Sequence, residues 1–273
     1  NYMLHPNYVI LMSFDLEEFD LPLEYGIGIA LADQIAISEE GLYQLLDILD
    51  RFQVKATFYT TVRFAVHAPG AVNLLLQKGH ELASHGLHHG ETSADDIILS
   101  REKLASLFQT PIHGFRMPRM KLPSNAILRR AGYRYHSSLH PTWIPGRYNH
   151  LRAPRGLQFD DALIHIPPSV SPHLRIPLFW LAFHHLPFKG YTRLCRQTMQ
   201  HDGYLHLYFH PWEWASWPAR LKKRLPWYLQ IKNGAPMQKK FEQWIQEMLM
   251  QPVQWTTTYT WLHTQFASRE RTS

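Results

Sequence analysis

Strand-like apolar runs alternate with amphipathic segments along the first half of the chain, and this alternation restricts the fold more than any other feature of the sequence. The apolar run 9–14 precedes segment 39–52, whose leucines recur at helical spacing, and the β-branched run 54–61 precedes a second helical segment at 64–78. Such alternation favours parallel strands joined by helical crossovers, with functional groups at the carboxyl ends of the strands. We therefore expect an α/β fold.

The later part of the chain is less regular, and nothing in it marks a domain boundary. Strand-like runs at 163–166 and 204–209 are followed by a helical segment at 237–250. With 273 residues and no linker, repeat or low-complexity tract, residues 1–273 suit a single domain. We expect the chemical motifs to span residues 9–213 and a helical, basic extension to follow at 214–273.

Charge and cysteine content restrict the partners and the compartment. A net charge of +6 would admit nucleic acid, an anionic membrane surface or an acidic polymer, but no nucleic-acid-binding motif accompanies it, so we expect no nucleic acid partner. The single cysteine, Cys195, excludes an intrachain disulfide and favours a reducing compartment. The sequence, which begins at Asn1, shows neither a signal-peptide pattern nor the roughly 18 apolar residues of a spanning helix. We expect a cytoplasmic protein, whose oligomeric state the sequence does not determine.

A cluster of carboxylates directly follows the first strand-like run. It consists of Asp15, Glu17, Glu18 and Asp20. Such groups repel one another unless a cation or hydrogen bonds compensate. The alternative to a functional site is a solvated strand end or a helix N-terminal cap.

Histidines four residues apart provide the second signal. The sequence contains three such pairs: His85/His89, His136/His140 and His206/His210. Only the first pair directly follows a strand and precedes a glycine, and on parallel strands it should emerge at the same edge as the acidic cluster. Two histidines and one carboxylate leave coordination positions open for water, as in a catalytic zinc site. A second nearby carboxylate could then act as a general base.

Two further side chains lie at the ends of strand-like runs. Arg116, in the segment GFRMPRM, precedes Pro118, and a fixed guanidinium can hold a carboxylate in one orientation. A structural ion pair would explain Arg116 equally well. His210, in LHLYFHPWEW, could donate a proton to a leaving amine, and a satisfied core histidine is the alternative.

Taken in order, five segments resemble the motifs of the polysaccharide deacetylase family, also called the NodB-homology or carbohydrate esterase family 4 domain. They are SFDLEEFD, SHGLHHG, GFRMPRM, YRYHSSLHPT and LHLYFHPWEW. The resemblance implies a distorted (β/α) barrel, a divalent metal that is usually zinc, and hydrolysis of N-acetyl groups on glycans. We therefore expect a metal-dependent deacetylase acting on an acetylated glycan or a lipid-linked sugar in surface polysaccharide biosynthesis.

The resemblance also implies roles for individual residues. Asp15 corresponds to the catalytic base, His85 and His89 to metal ligands, Arg116 to the arginine that orients the base, and His210 to the general acid. Leu16 occupies the place of the family's usual second aspartate, and the spacing of a subgroup would make Glu17 the third ligand, with Glu18 and Asp20 as alternatives.

The fourth motif departs from the family pattern, because His136 stands where relatives often carry an aspartate that tunes the general acid. An imidazole cannot raise the pKa of a neighbouring histidine as a carboxylate does. Another acid such as Glu213, Asp160 or Asp161 would have to replace it, or the acid step would be weaker.

Aromatic residues near the motifs are candidates for contact with sugar rings, with core packing as the alternative for each: Trp143, Tyr148, Trp212 and Trp214. The aromatic segment 176–196 most simply packs in the core, although it and the basic stretch after Ala219 would also suit the inner face of a membrane. Two other functions stay open: an amidase acting on a small non-sugar amide, and a catalytically weakened protein that binds metal or glycan.

Overall fold

The computed structural model describes residues 8–266. These residues contain eleven strands, which are β1 (Tyr8–Leu16), β2 (Ala56–Thr60), β3 (Glu81–Ser84), β4 (Gly114–Phe115), β5 (Tyr135–His136), β6 (Trp143–Ile144), β7 (Tyr148–Asn149), β8 (Gln158–Asp160), β9 (Leu163–His165), β10 (Tyr204–Phe209) and β11 (Val253–Trp255). The α-helices are α1 (Leu31–Arg51), α2 (Val62–His67), α3 (Pro69–Gln77), α4 (Ala94–Phe108), α5 (Asn125–Ala131), α6 (Trp180–His185), α7 (Phe188–Asp202), α8 (Ala219–Lys222), α9 (Ala235–Leu249) and α10 (Thr258–Phe266). Short 3-10 helices lie at Leu21–Tyr25, Pro118–Met120, Pro211–Trp214 and Trp227–Leu229.

One curled sheet contains every strand except β6 and β7, which form a separate antiparallel hairpin. Its strand order is β10-β1-β2-β3-β4-β5-β9-β8, and only the edge strand β8 pairs antiparallel to its neighbour. The backbone beyond β9 reaches β10, where the Ser169 N–H donates to the His206 carbonyl oxygen at 2.8 Å. The sheet thus forms a partly open, distorted (β/α) barrel, which confirms the expected fold class.

Helices cover the outer face of the sheet because their apolar stripes need burial. In α1, for example, Leu42, Leu45 and Leu49 are fully buried. This helix also packs closely on the Pro211–Trp214 turn. A Cβ added at Gly41 would lie 1.9 Å from the Pro211 carbonyl oxygen, so only glycine permits this approach.

Several elements differ from the sequence-based expectation. The helix expected at 64–78 is two helices, because Pro69 starts a new one after Ala68. The extension at 214–273, expected to be helical, also contains β11, which pairs parallel with the first residues of β1 and so belongs to the sheet. Segment 176–196 packs its aromatic residues inward, with Trp180 8% exposed and Phe183 fully buried. No helix among residues 8–266 is long and apolar enough to cross a membrane.

Candidate metal centre and active site

The carboxyl ends of β1 and β3 bring the acidic cluster and the first histidine pair together. β1 and β3 both pair in parallel with β2, so their last residues emerge at the same edge of the sheet. Glu17 follows β1 directly, and His85 follows β3 directly. His89 lies farther along the loop that begins at His85, and its ring is 5.6 Å from the ring of His85. A loop, not a helical turn, therefore brings the two imidazoles together.

Three ligand atoms converge at this edge. The Nε2 atoms of His85 and His89 lie 3.2 Å and 3.1 Å from Oε2 of Glu17. Glu17 and His85 are buried, and the His89 side chain is 12% exposed. Ligands about 2.0–2.1 Å from a tetrahedral zinc ion stand about 3.4 Å apart, so the observed spacing suits one ion.

The state of these atoms supports the same conclusion. Oε2 of Glu17 and Nε2 of His85 are buried and form no hydrogen bond, although buried polar atoms normally have a partner. Burial and the neighbouring carboxylates Asp20 and Asp15 raise the pKa of Glu17 well above its usual value, despite the opposing charge of His89. Burial lowers the pKa of His85, which favours the neutral imidazole that binds metals. The residues present therefore fit a divalent cation.

The outward atoms of the three ligands are held by other groups, as is usual around metal sites. Nδ1 of His85 lies 2.7 Å from the Arg116 carbonyl oxygen, which leaves Nε2 as the lone-pair nitrogen. Nδ1 of His89 lies 2.8 Å from Oδ1 of Asp20. The indole N–H of Trp212 donates to Oε1 of Glu17 at 3.3 Å, so that Oε2 remains available.

Glu18 faces away from these ligand atoms. Its carboxylate accepts hydrogen bonds from the Thr61 hydroxyl at 2.8 Å and from the backbone N–H of His89 at 3.0 Å. Of the three carboxylates considered as the third ligand, Glu17 has the geometry for it. Glu18 and Asp20 instead hold the histidine loop.

A buried ion pair lies behind the metal centre. The guanidinium of Arg116 donates to Oδ1 of Asp15 at 2.6 Å, and Arg116 is fully buried. Its remaining N–H groups donate to Ser13 and Ser137, each at 3.0 Å. Burial alone would raise the pKa of Asp15, but the charge and hydrogen bond of Arg116 outweigh it and lower that pKa. Asp15 is therefore held as a carboxylate.

His210 lies at the end of β10 and lines the same cavity as Asp15, Glu17 and His89. Burial lowers the pKa of His210 to about 3, although the nearby Asp15 carboxylate opposes this. Its Nδ1 lies 3.2 Å from Oε1 of Glu213, and that oxygen also accepts the His210 backbone N–H at 2.7 Å. If Nδ1 of His210 carries the hydrogen and donates it to Glu213, Nε2 is the ring nitrogen that does not contact Glu213.

Glu213 is the acid that the structure places beside the predicted general acid. It is fully buried, and burial raises its pKa well above the usual value. Its second oxygen lies 2.8 Å from Nε2 of His184. Asp160, by contrast, binds Asn125 and Arg129, and Asp161 is exposed. His136 stacks on His165 at 4.5 Å and lines a different cavity of about 570 Å³.

The four aromatic residues considered for sugar contact have different positions. Tyr148 and Trp212 line the cavity beside the metal centre. The structure does not bring the other two there. Trp143 is 56% exposed on the β6–β7 hairpin, outside the residues that line this cavity. Trp214 is fully buried and packs edge-on against Phe14 and Phe241, because the turn that presents Trp212 to the cavity directs Trp214 into the core.

Sequence reasoning missed several residues of the cavity. Arg119 and Arg147 line it together with Glu24 and Tyr228. Arg119 stands in the quoted third motif, but no pattern in the sequence marked its function. Glu213, by contrast, was one of the three acids named from the sequence, and its spacing His-x-x-Glu suits a capping box, which the structure contains.

A family model described as polysaccharide deacetylase matches residues 32–136. The matched part contains His85, His89 and Arg116, and the fold is the curled barrel expected of such domains. The resemblance to the polysaccharide deacetylase family thus extends over residues 32–136. The match begins after Asp15 and Glu17 and ends before His210, so geometry alone joins these three residues to the site.

Several solved structures share the fold of this chain. A Mycobacterium smegmatis protein assigned as a polysaccharide deacetylase aligns with a TM-score of 0.67 at 18% identity, over 98% of this chain and 93% of its own. A Pseudomonas aeruginosa PAO1 protein with the same assignment aligns with a TM-score of 0.66 at 13% identity, over 97% and 95%. Puue allantoinase aligns with a TM-score of 0.64 at 11% identity, over 96% and 92%. At these identities the likeness shows the fold alone. No curated protein matches the chain by sequence.

Proposed function

We propose that this protein is a zinc-dependent hydrolase that removes an N-acetyl group from a glycan or a lipid-linked sugar in surface polysaccharide biosynthesis. The observation that carries the proposal is the convergence of Glu17, His85 and His89, in which the buried ligand atoms of Glu17 and His85 lack hydrogen-bond partners. Two imidazoles and one carboxylate form a donor set typical of catalytic zinc. A zinc ion held there would polarise the acetyl carbonyl and lower the pKa of a bound water.

Asp15 supplies the base in this mechanism. It lines the cavity beside Glu17 and His89, where it can accept a proton from the attacking water. Arg116 keeps the carboxylate ionised and fixes its orientation through the 2.6 Å hydrogen bond. The base is therefore ready before substrate binds.

His210 supplies the acid. It is a neutral imidazole in the free protein because burial lowers its pKa to about 3. During turnover it takes up the proton that Asp15 removed from the attacking water and donates it to the departing amine. Glu213 holds the ring through Nδ1 and stabilises the cationic form. The Trp212 ring, stacked on His210 at 4.4 Å, limits movement of the imidazole.

The substrate contacts proposed for this site are those that line the cavity. Tyr148 and Trp212 offer aromatic faces beside the metal ligands, and sugar rings pack well on such faces. The cavity next to the metal centre has a volume of about 240 Å³. This volume suits one sugar unit and favours reaction at the end of a glycan or on a single sugar.

A location at the inner face of the cytoplasmic membrane stays a prediction. The aromatic residues around Trp180 are buried, so they give it no support. Trp227 does support it, because this side chain is 78% exposed and precedes Tyr228 of the cavity. The basic side chains of Arg220, Lys223 and Arg224 are exposed in the same segment, and anionic lipid attracts such clusters.

Metal analysis combined with an acetate-release assay tests the proposal. Purified wild-type protein should contain close to one zinc ion per chain, and Glu17→Ala and His89→Ala should lose it. Asp15→Asn is the matched control: it should keep the metal and lose turnover. Acetate release from N-acetyl sugars and glycans, compared with hydrolysis of small amides, identifies the substrate class. Zinc-loaded wild type that binds glycan without turnover would replace the hydrolase with a binding protein, and turnover of small amides alone would make it an amidase.

A further inference from the structure

A second cavity opens directly beside the metal-centre cavity. It has a volume of about 630 Å³ and shares its wall with the first cavity through Arg119, Arg147, Tyr148 and Tyr228. A group bound next to the metal ligands can therefore continue into this second space. The residues of the metal-centre mechanism do not line it.

Basic side chains outnumber acidic ones in the lining of the second cavity. Its lining contains three basic side chains, Arg119, Lys121 and Arg147, against one carboxylate, Glu24. The two carboxylate oxygens of Glu24 are used separately: Oε1 lies 2.7 Å from Nη1 of Arg119, and Oε2 lies 3.1 Å from Nη2 of Arg147. Glu24 thus fixes both guanidinium groups and neutralises only part of their charge.

The basic groups are more exposed than the carboxylate that orders them. The side chain of Glu24 is 17% exposed, whereas those of Arg119 and Arg147 are 34% and 47% exposed. The Lys121 side chain is 59% exposed, and its Nζ lies 3.5 Å from Oε1 of the exposed Glu91. The cavity consequently presents N–H donors, and a guanidinium has five of them in a planar fork that matches the oxygens of a phosphate.

The backbone at this wall is in an uncommon conformation. Arg119 and Met120 have φ values of 59° and 54°, in the left-handed region that non-glycine residues seldom adopt. The conformation directs Arg119 toward Glu24 and toward Asp20, whose carboxylate lies 3.4 Å away and also contacts His89. Such strain persists where the surrounding structure supports it, which is often at functional sites.

From these observations we infer that the second cavity binds the phosphate or pyrophosphate group of the substrate, so that the acetylated sugar is a phosphate-linked one. The part of this inference that concerns the acetylated sugar rests on the proposed function. The part that concerns the bound anion rests on the second cavity alone. A pyrophosphate offers several oxygens to the two guanidinium groups, more than a single carboxylate does. A nucleoside diphosphate or a lipid pyrophosphate could supply the group.

Calorimetric titration of the zinc-loaded protein with inorganic pyrophosphate tests the anion site without requiring turnover. Arg147→Gln should raise the dissociation constant about tenfold or more at physiological ionic strength, the effect of one lost charge-assisted contact. Arg147→Lys should restore part of the affinity. Arg130→Gln, an exposed arginine on α5, is the matched control and should bind as wild type does.

Other outcomes decide against the site or identify the source of the phosphate. No binding, or binding that Arg147→Gln leaves unchanged and metal removal abolishes, would overturn the inference, because the anion would then occupy the metal centre. Uridine diphosphate that binds at least about tenfold more tightly than pyrophosphate points to a nucleotide-linked sugar, and equal affinities point to a lipid-linked one. Acetate release is measured separately, so the proposed function can fail while the anion site stands.

Discussion

Replacing Arg116 by glutamine should destabilise the protein strongly. The guanidinium is fully buried, donates to Asp15 at 2.6 Å and lies 4.0 Å from the ring of Tyr59. Glutamine removes the charge and leaves the Asp15 carboxylate buried without a cation. Breaking a buried ion pair in this way costs about 3–5 kcal/mol of unfolding free energy.

The loss should depend on Asp15 and on pH. In wild type the pKa of Asp15 is lowered below 3.8, so the pair stabilises the fold above that pH. In Arg116→Gln the largest lowering influence on the pKa of Asp15 is removed, so burial should raise that pKa above its unfolded value. The deficit of the variant should therefore shrink as the pH falls toward that raised pKa, because the folded state then takes up a proton.

Urea unfolding of metal-free protein, followed by tryptophan fluorescence, measures these effects. The double variant Arg116→Gln/Asp15→Asn should lose at least about 2 kcal/mol less than the sum of the single variants, because neither buried charge remains. Asp15→Asn alone is the control for the carboxylate. An Arg116→Gln variant that loses under about 1 kcal/mol, or shows no coupling to Asp15, would refute the buried-pair account.

Three further variants test other parts of the structure. Gly41→Ala should lower the unfolding free energy by about 1–3 kcal/mol, because a Cβ there meets a backbone carbonyl of the neighbouring turn. Gly190→Ala in α7, where a Cβ meets open space, should leave the unfolding free energy unchanged or raise it slightly. Equal urea midpoints of the two variants would contradict this. Glu213→Gln should lower kcat about a hundredfold with zinc content unchanged, because His210 loses the carboxylate that stabilises its protonated ring; an unaltered pH–rate profile would argue against that role. Burial lowers the folded pKa of His80 to about 4, below its unfolded value of 6.5, so its stabilising effect is lost as the pH falls from 6.5 to 4. Because of His80, the unfolding free energy should fall by about 1 kcal/mol as the pH is lowered from 7 to 5.5. His80→Gln should therefore make the urea midpoint depend less on pH over this range.

Much of the fold could be predicted from periodicity because strands and helices in the first half of the chain are strongly patterned. The bounds of β10 coincide with the segment expected at 204–209, and those of β9 and α9 lie within two residues of the segments expected at 163–166 and 237–250. β11 could not be found in this way. It has three residues, and its identity as a strand depends on pairing with β1, far away in the sequence.

The sequence predicted those site residues whose positions are determined by the ends of strands. It did not predict those whose contribution depends on the direction of the side chain. Parallel strands bring Glu17 and His85 to one edge whatever the loops do, so their convergence followed from the topology. Trp212 and Trp214 could not be distinguished by sequence. They lie two residues apart on the same 3-10 turn, yet Trp212 lines the cavity and Trp214 packs in the core. Arg119 was missed because its direction depends on a left-handed backbone that the residue type does not favour.

The central position of β1 has a consequence for how the protein is made. Among the strands of residues 8–266, β1 is synthesised first, yet β10 and β11, two of the three strands that pair with it, follow roughly 190 and 240 residues later. Until they emerge from the ribosome, one side of an apolar strand has no partner, and contacts so distant in sequence form slowly. Asp15 and Glu17 are therefore translated long before the strands that fix β1 in place, so a chain that stops before residue 204 cannot complete the candidate site.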